Sequence, residues 1–398
     1  MKEILLNTKQ IIMLSEYNKI IKKIKSCLPN QRKGYMIHEP KFDNKTIEDS
    51  RKCLLSSFVS NKGKYIDKFE NKLKQITGSK YILLTNTGTS ALFLSLKLLD
   101  VKKTEILVPS MTFVATTNVI LYHDAIPHFL DCEKNSPTID LDKLEEYLST
   151  NFYVKNGKCI NKSTNNTVSC IIPVHAYGKP VDTKKLENIM EKYYIEIIED
   201  GAGALGSYHN GNHIGYEQRA SIISFNGNKI VTTGMGGAIL LNNSKDYNYL
   251  KHIMSTARIE HEWKVSHDQL GYNLRMSNIN ASIGFKQLCN LKKTLSLKKK
   301  LFNLYQNAFK DNEYCFISDN SKNSSPNNWI INLMMKDKYV KHQQSLIKHM
   351  HKNKIYVREL WKPQHLAKYL KLYPKSDLKN TMKLWKKTIS LPSSYYIT

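Results

Sequence analysis

Between residues 81 and 241 the sequence alternates short runs rich in β-branched residues with longer stretches of helical periodicity. This alternation constrains the fold more than any other feature. The apolar runs are YILLTN (81–86), EILVPS (105–110), PHFLD (127–131), VSCIIPV (168–174), IEIIED (195–200), ASIISF (220–225) and GAILL (237–241). Helix-like stretches separate them, among them 88–99, 138–149 and 182–194. Strands joined through helices lie parallel, and a parallel sheet needs cover on both faces. The expectation is an α/β/α sandwich around a mostly parallel sheet.

The flanks read differently. Residues 1–34 hold eight basic and two acidic residues with some helical periodicity, an accessory N-terminal segment. After about residue 277 a long helix is expected, capped by Ser277; residues 286–310 carry seven lysines and no acid, a face that is solvated or near an anion. The stretches IYVRELWKP (355–363) and LPSS (391–394) suggest a smaller α+β domain. The division expected is 1–35 for the accessory segment, 36–285 for the large α/β domain and 286–398 for the small one. The Asn/Ser/Lys stretches 155–166 and 318–328 read as surface loops.

Composition narrows the class. An apolar share of 41% with 10% aromatics suffices for a large core. No window approaches the ~18 uncharged apolar residues of a membrane span, and MKEILLNTKQ interrupts any signal core with charge. No membrane association is expected, and a cytoplasmic location is. The seven cysteines form no C-x-x-C pair and read as free thiols. His209 and His213 lie in HNGNH, whose glycine and asparagines make a turn rather than a metal-binding helix, so no metal site is expected. The formal charge of +26 comes almost wholly from lysine, with six arginines in the chain. Lysine lacks base-reading geometry, so the charge reads as a solvated basic surface that favours anionic ligands rather than as a nucleic-acid interface.

Three features carry chemistry. In TNTGTSALFLSLKLL (85–99) a strand ends at Asn86 and Gly88-Thr89-Ser90 opens a helix, whose free N–H groups and positive dipole end suit a phosphate. Taken alone, this is also an ordinary N-cap. In IEIIEDGAGALGS (195–207) a strand delivers Glu199-Asp200 to its carboxyl end, the edge where open parallel sheets bind ligands. Such an Asp can hold a cationic ring nitrogen, or simply cap a helix. In SFNGNKIVTTGMGGAILL (224–241), Lys229 stands between two strands, followed by Gly234, Gly236 and Gly237, which leave room beside it. In this order the three match what pyridoxal 5'-phosphate (PLP) requires: a phosphate anchor, a pyridinium partner and an amine that traps the aldehyde.

With these residues in place, the chain from about Met36 onward resembles the DegT/StrS family of PLP-dependent nucleotide-sugar aminotransferases, of fold type I. The resemblance is carried by 38–70, TNTGTSAL (85–92), ILVPSMTFVATTNVILYHDAIPHFLDCE (106–133), IIPVHAYGKPVD (171–182), IIEDGAGALGS (197–207), SFNGNKIVTTGMGG (224–237) and GYNLRMSNINASIG (271–284). SFNGNK with TTG, and LWKPQH late in the chain, look most like the branch that aminates C4 of 4-keto-6-deoxy sugars, such as perosamine or viosamine synthases. The resemblance implies that Lys229 carries the cofactor and that Asp200 partners its pyridine nitrogen. It implies that Gly88, Thr89 and Ser224 bind its phosphate and that Phe113 stacks on its ring. His175 would lie near the cofactor and substrate, or serve as a packed core histidine. Asn273 and Arg275 would reach the neighbouring subunit's site in a homodimer, Asn273 at the PLP phosphate and Arg275 at the sugar nucleotide. Glutamate is the expected amino donor.

Two positions depart from the family pattern. Gly203 stands where many relatives carry Gln or Glu, and Met235 where an acidic residue or Gly is usual. A same-fold dehydratase would replace Lys229 by histidine. Amination at C3, or in a different class a basic polyanion-binding protein, are the other readings.

Overall fold

The structure is a computed structural model and describes residues 8–29, 33–216, 218–319 and 323–394. Parts of two expected segments, residues 1–7 and 30–32 of the N-terminal one and 320–322 of a proposed loop, lie outside these.

Seven strands form the main path of a nine-stranded central sheet: β1 (Tyr81–Thr85), β2 (Glu105–Pro109), β3 (Ile126–Leu130), β4 (Thr167–Ile171), β5 (Glu196–Asp200), β6 (Ala220–Ser224) and β7 (Gly237–Leu241). Their order across the sheet is β1-β7-β6-β5-β4-β2-β3. The neighbours from β6 to β3 all run parallel, while β7 is antiparallel to both β1 and β6. Each strand begins within one residue of its expected run and ends within three, the widest gap being β4, which stops at Ile171 rather than 174; apolar β-branched stretches of this length are what a doubly covered sheet requires.

The helices before, between and after the strands are α1 (Thr8–Ser26), α2 (Asn44–Leu55), α3 (Lys64–Thr77), α4 (Gly88–Leu96), α5 (Val114–Tyr122), α6 (Leu141–Asn151), α7 (Thr183–Tyr193) and α8 (Ser244–Ile253). Alternation along the strands divides the core. Leu83, Ile106, Val108, Ile222 and Ile239 face α4, α5 and α8, while Ile82, Leu84, Ile223 and Leu240 face α3. Leu107, Ile171 and Ile197 pack on α6 and α7. The fold is the expected α/β/α sandwich.

The single long helix expected after Ser277 is two, α9 (Asn278–Cys289) and α10 (Leu291–Phe309). The start holds, since the Ser277 hydroxyl caps the N–H of Asn280. The break falls at Asn290, which leaves the helical backbone at φ −93°, ψ 2°. Nor is the lysine-rich face uniformly solvated: Lys298 is fully buried. Its Nζ donates to the carbonyls of Trp329, at 2.7 Å, and Ser393.

A smaller antiparallel sheet, ordered β8 (Cys315–Ile317), β9 (Asn332–Met335), β11 (Thr388–Ser390) and β10 (Arg358–Glu359), packs with α10, α11 (Gln343–Lys352) and α12 (Lys379–Lys387). Tyr17, Ile20 and Ile24 of α1 lie in the same core as Tyr305, Phe309 and Met350, so the basic N-terminal helix is built into this layer. The Asp131 carboxylate, just past β3, accepts the N–H groups of Asn380 (3.1 Å) and Thr381 (2.7 Å) and so caps α12 from the large sheet.

Both Asn/Ser/Lys stretches contain more than loop. Residues 152–155 and 158–161 form a hairpin turning on Asn156-Gly157, both with positive φ, and its second strand pairs with β4. In the other stretch, Asn327 is buried and its side chain satisfies the carbonyls of Gly203 and Leu205, each at 2.9 Å. Asparagine here replaces a backbone partner, which its polarity alone does not reveal. Among the described residues, no helix is long and apolar enough to cross a membrane.

Candidate active site

The carboxyl ends of β5 and β6 open, together with the start of α4, into one cavity of about 380 Å³. Of the nine residues singled out in the sequence, seven line it: Gly88, Thr89, Phe113, His175, Asp200, Ser224 and Lys229.

The first part is the start of α4. Thr87 caps the helix by accepting the N–H of Ser90 at 2.9 Å, which leaves the amides of Gly88 and Thr89 without an intrahelical acceptor. A Cβ at Gly88 would stand 2.8 Å from Cβ and 3.1 Å from Oγ of Ser224. Glycine is therefore what lets the Ser224 hydroxyl, at the end of β6, approach the helix start. Two free amides, a dipole end and a hydroxyl converge there, a cradle for a phosphate.

The second part is Asp200, nearly buried at the end of β5. Its Oδ2 accepts the Thr116 hydroxyl at 2.7 Å and its Oδ1 accepts the N–H of Ala202 at 3.0 Å. Thr112 and Thr116 hydroxyls are 2.8 Å apart. Because the single Thr116 proton goes to Asp200, Thr112 donates to Thr116. The carboxylate is thus oriented by α5 and by its own loop.

The third part is Lys229, half-buried in the cavity wall. It sits on the loop that joins β6 to β7, where Lys229 N–H closes a turn onto Asn226 O at 2.9 Å. Gln287 of α9 pins the same loop through both backbone groups of Thr232, at 3.1 and 2.8 Å. Burial pushes the amine down to about 7, and the Asp200 carboxylate acts in the opposite direction. A lysine near 7 has a large neutral fraction at physiological pH and can act as nucleophile and base.

Phe113, more than half exposed, closes the mouth of the cavity with Trp361, their rings 6.2 Å apart. His175 lines the cavity and is almost fully buried. Its Nδ1 accepts the N–H of Val181 at 3.0 Å, so the proton is on Nε2, which faces buried Glu199 at 3.5 Å.

Asn273 and Arg275 are not brought to this cavity. Their segment runs along the outer edge of β1, where Arg275 bridges Thr85, and Asn273 bridges Ser255 beyond it. The Arg275 Nε is buried without a partner, and burial together with Arg258 pushes its pKa down.

Sequence reasoning missed Trp329 and Arg358, which also line the cavity, and the role of Thr116. Trp361 lies in the LWKPQH stretch that was noticed, and Thr116 in MTFVAT. Trp329 follows an Asn/Ser-rich stretch that carries no signal of burial. The two departures are resolved in space: Met235 is exposed at the cavity, and Gly203 faces the Trp329 ring, which a Cβ would approach to 2.5 Å.

A phosphate cradle, an oriented carboxylate and a lowered amine around one cavity fit the three functional groups of PLP. HNGNH is a hairpin turn, and His213 spends its nitrogens on Gly206 N–H (2.9 Å) and its neighbour's carbonyl (2.6 Å).

The profile of the DegT/DnrJ/EryC1/StrS aminotransferase family matches residues 40–398. GDP-perosamine synthase of Escherichia coli O157:H7 is 30% identical over 359 residues, covering 90% of this chain and 92% of that protein. The UDP-4-amino-4,6-dideoxy-N-acetyl-beta-L-altrosamine transaminase of Campylobacter jejuni subsp. jejuni serotype O:23/36 (strain 81-176) is 29% identical over 355 residues, covering 88% and 90%. In fold, the chain is similar to Helicobacter pylori PseC, described as an aminotransferase of pseudoaminic acid biosynthesis, with a TM-score of 0.81, 24% identity and 90% and 94% coverage. The chain belongs to the DegT/DnrJ/EryC1/StrS aminotransferase family, and its cofactor is pyridoxal phosphate.

Proposed function

We propose that this aminotransferase moves an amino group from glutamate to C4 of a nucleoside-diphosphate 4-keto-6-deoxyhexose, giving a 4-amino-4,6-dideoxy sugar nucleotide for glycan synthesis. The observation that carries the reading is the single cavity where Lys229, Asp200 and the Gly88–Ser224 cradle meet. The C4 position is supported by the two relatives, one of them named for a 4-amino-4,6-dideoxy sugar nucleotide.

The geometry supports the following residue roles. The amides of Gly88 and Thr89 with the Ser224 hydroxyl bind the cofactor's phosphate, and Phe113 covers its ring. Asp200, fixed by Thr116 and the Ala202 N–H, holds a proton on the ring nitrogen. When bound, PLP supplies an electron sink for the carbanion at the donor's α carbon. Nζ of Lys229 takes the proton from that carbon and, in the second half of the cycle, delivers one to C4 of the sugar. His175, in the lining of the same cavity, lies near the substrate.

We infer further that the enzyme is a homodimer with shared sites. Ile47, Leu54, Leu55 and Phe58 on and after α2, with Trp263, Val265 and Leu270, leave a large apolar surface exposed. Arg275 has a buried Nε without a hydrogen-bond partner and lies near a second guanidinium, Arg258, and among the described residues neither is in an ion pair with a carboxylate. A neighbour's sugar diphosphate supplies a counter-anion, and Asn273 reaches that neighbour's cofactor phosphate. Six buried free thiols among the seven cysteines accord with a cytoplasmic setting.

The test is to incubate the protein with PLP, glutamate and a panel of UDP-, GDP- and dTDP-linked 4-keto- and 3-keto-6-deoxyhexoses, and to read the amino sugar by mass and its position by NMR. Amination at C4 is expected. Product from the 3-keto sugars alone would overturn the position, and no product from any would overturn the substrate class.

A further inference from the structure

Trp329 is held in the cavity wall through its side chain and both its backbone groups, and no step above uses it. Its indole Nε1–H donates to the Asn228 carbonyl at 2.7 Å, its backbone N–H to Asn327 Oδ1 at 2.8 Å, and its own carbonyl accepts Lys298 Nζ at 2.7 Å. The ring it holds in place lies against Lys229, with Nζ 3.5 Å from its centroid. Among the described residues, that amine has no hydrogen-bond acceptor and no carboxylate within ion-pair distance. The same ring presses on Gly203, where a Cβ would stand 2.5 Å from Cε3 and 2.7 Å from Cζ3. Asn327 ties the two segments together through the Gly203 and Leu205 carbonyls, each at 2.9 Å.

We propose that Trp329 is the positioning residue for the Lys229 amine, presenting its ring face to the ammonium, and that Gly203 is glycine because this ring occupies the space above it. The proposal rests on Lys229 being the reactive amine. An indole face carries negative potential and attracts an ammonium more than a neutral amine. It therefore holds the amine at one place in the wall whenever it is detached from the cofactor, which is when it must carry the proton. The other charged or titratable groups on the surrounding elements are Asp200 of β5, which favours the ammonium, His38 and Lys298, and Arg358 and His175 in the same cavity wall. Ring face and Asp200 both oppose the burial that disfavours charge.

The test uses the full-length protein freed of PLP. Acetylation of Lys229 by acetic anhydride is followed against pH by mass spectrometry of its peptide, in the parent, Trp329→Leu, Trp329→Phe and Gly203→Ala. Removing the ring in Trp329→Leu is expected to shift the midpoint down by about half a unit to one and a half units. Trp329→Phe, which keeps a weaker face, shifts it by less than Leu does. Gly203→Ala displaces the ring and shifts it in the same direction, and the Gly203→Ala/Trp329→Leu double variant goes no lower than Trp329→Leu alone. Midpoints equal to the parent's in Leu and Ala variants would overturn the proposal; if Leu fails to fold, Phe and Ala decide it by the same criterion. Borohydride fixation of PLP in the loaded parent checks the underlying reading separately, because label on another lysine defeats Lys229 and not only Trp329.

Discussion

The Thr116 hydroxyl lies 2.7 Å from Oδ2 of Asp200 and, with the Ala202 amide on the other oxygen, fixes the carboxylate plane at the end of β5. Thr116→Val keeps the shape and removes the donor. A hydrogen bond to a charged group contributes about 1.5–3 kcal/mol, so kcat should fall by about 10- to 100-fold with the PLP content little changed. Asp200→Asn should cost at least ~100-fold, the scale of losing one preorganised electrostatic partner. Steady-state kinetics beside cofactor absorbance read both, and a near-normal Asp200→Asn would make that residue purely structural.

Lys229→Ala should abolish turnover while the cradle still binds PLP weakly, because no other amine in the cavity takes its place. In the parent freed of cofactor, an amine lowered to about 7 must be deprotonated to attack an aldehyde. The rate of PLP attachment should therefore climb roughly tenfold per pH unit below that value and level off above it, well short of the ordinary lysine range. Stopped-flow absorbance across pH 5–9 gives the profile, and a rate still climbing at the top would place the amine elsewhere.

Shared sites predict complementation. Lys229→Ala and Arg275→Ala proteins, each inactive, should regain activity when mixed under conditions that exchange subunits, since about a quarter of the sites in a statistical mixture carry both intact residues. A mixture shown to exchange by native mass spectrometry that stays inactive would confine each site to one chain.

Glu105, at the far end of the sheet, is fully buried and accepts from His128 (2.7 Å), Asn161 (2.9 Å), Thr164 (2.5 Å) and Asn166 (3.3 Å). Burial alone would raise its pKa, but the hydrogen bonds from His128, Asn161 and Thr164 together outweigh it and the net direction is down. A carboxylate lowered in the fold contributes stability above its unfolded pKa and loses it as pH falls through the folded one. Glu105→Gln should cost about 2 kcal/mol at pH 7, and the gap to the parent in urea melts should narrow towards acid pH. A gap that widens there would reverse the sign.

Lys298→Met removes the ammonium that serves the Trp329 and Ser393 carbonyls. Leaving two buried carbonyls unpaired should cost about 2–5 kcal/mol in the same melts, whereas replacing exposed Lys299 should cost nothing measurable.

The sheet was legible because its strands are apolar runs of the right length, and Lys229, Asp200 and Gly88 because they fall at strand or helix ends in one chain order. What was not legible depended on contacts distant in sequence. Lys298 reads as one more solvated lysine until the carbonyls from residues 329 and 393 close around it. Asn327 reads as loop until it is found serving backbone at 203 and 205. Asn290 ends α9 by local backbone conformation, which helical periodicity on both sides conceals. The Glu105 network draws on Asn161, Thr164 and Asn166 from a stretch whose composition suggests nothing beyond solubility.

The reversed strand β7 has an effect on how this site can change. Ser224 and Gly237 are register partners across the β6–β7 pair, so the loop that carries Lys229 leaves and re-enters the sheet through one closed neck. Its circumference is set by the ladder, and Gln287 grips its far side. Met235 belongs to the same loop yet turns to the exposed part of the cavity. Substitutions at 235 are therefore expected to alter the cavity wall while the amine keeps its place, whereas inserting or deleting a single residue in the loop is expected to move the amine itself. Change of the cavity wall and retention of the amine's place thus fall to different atoms of one ring of backbone.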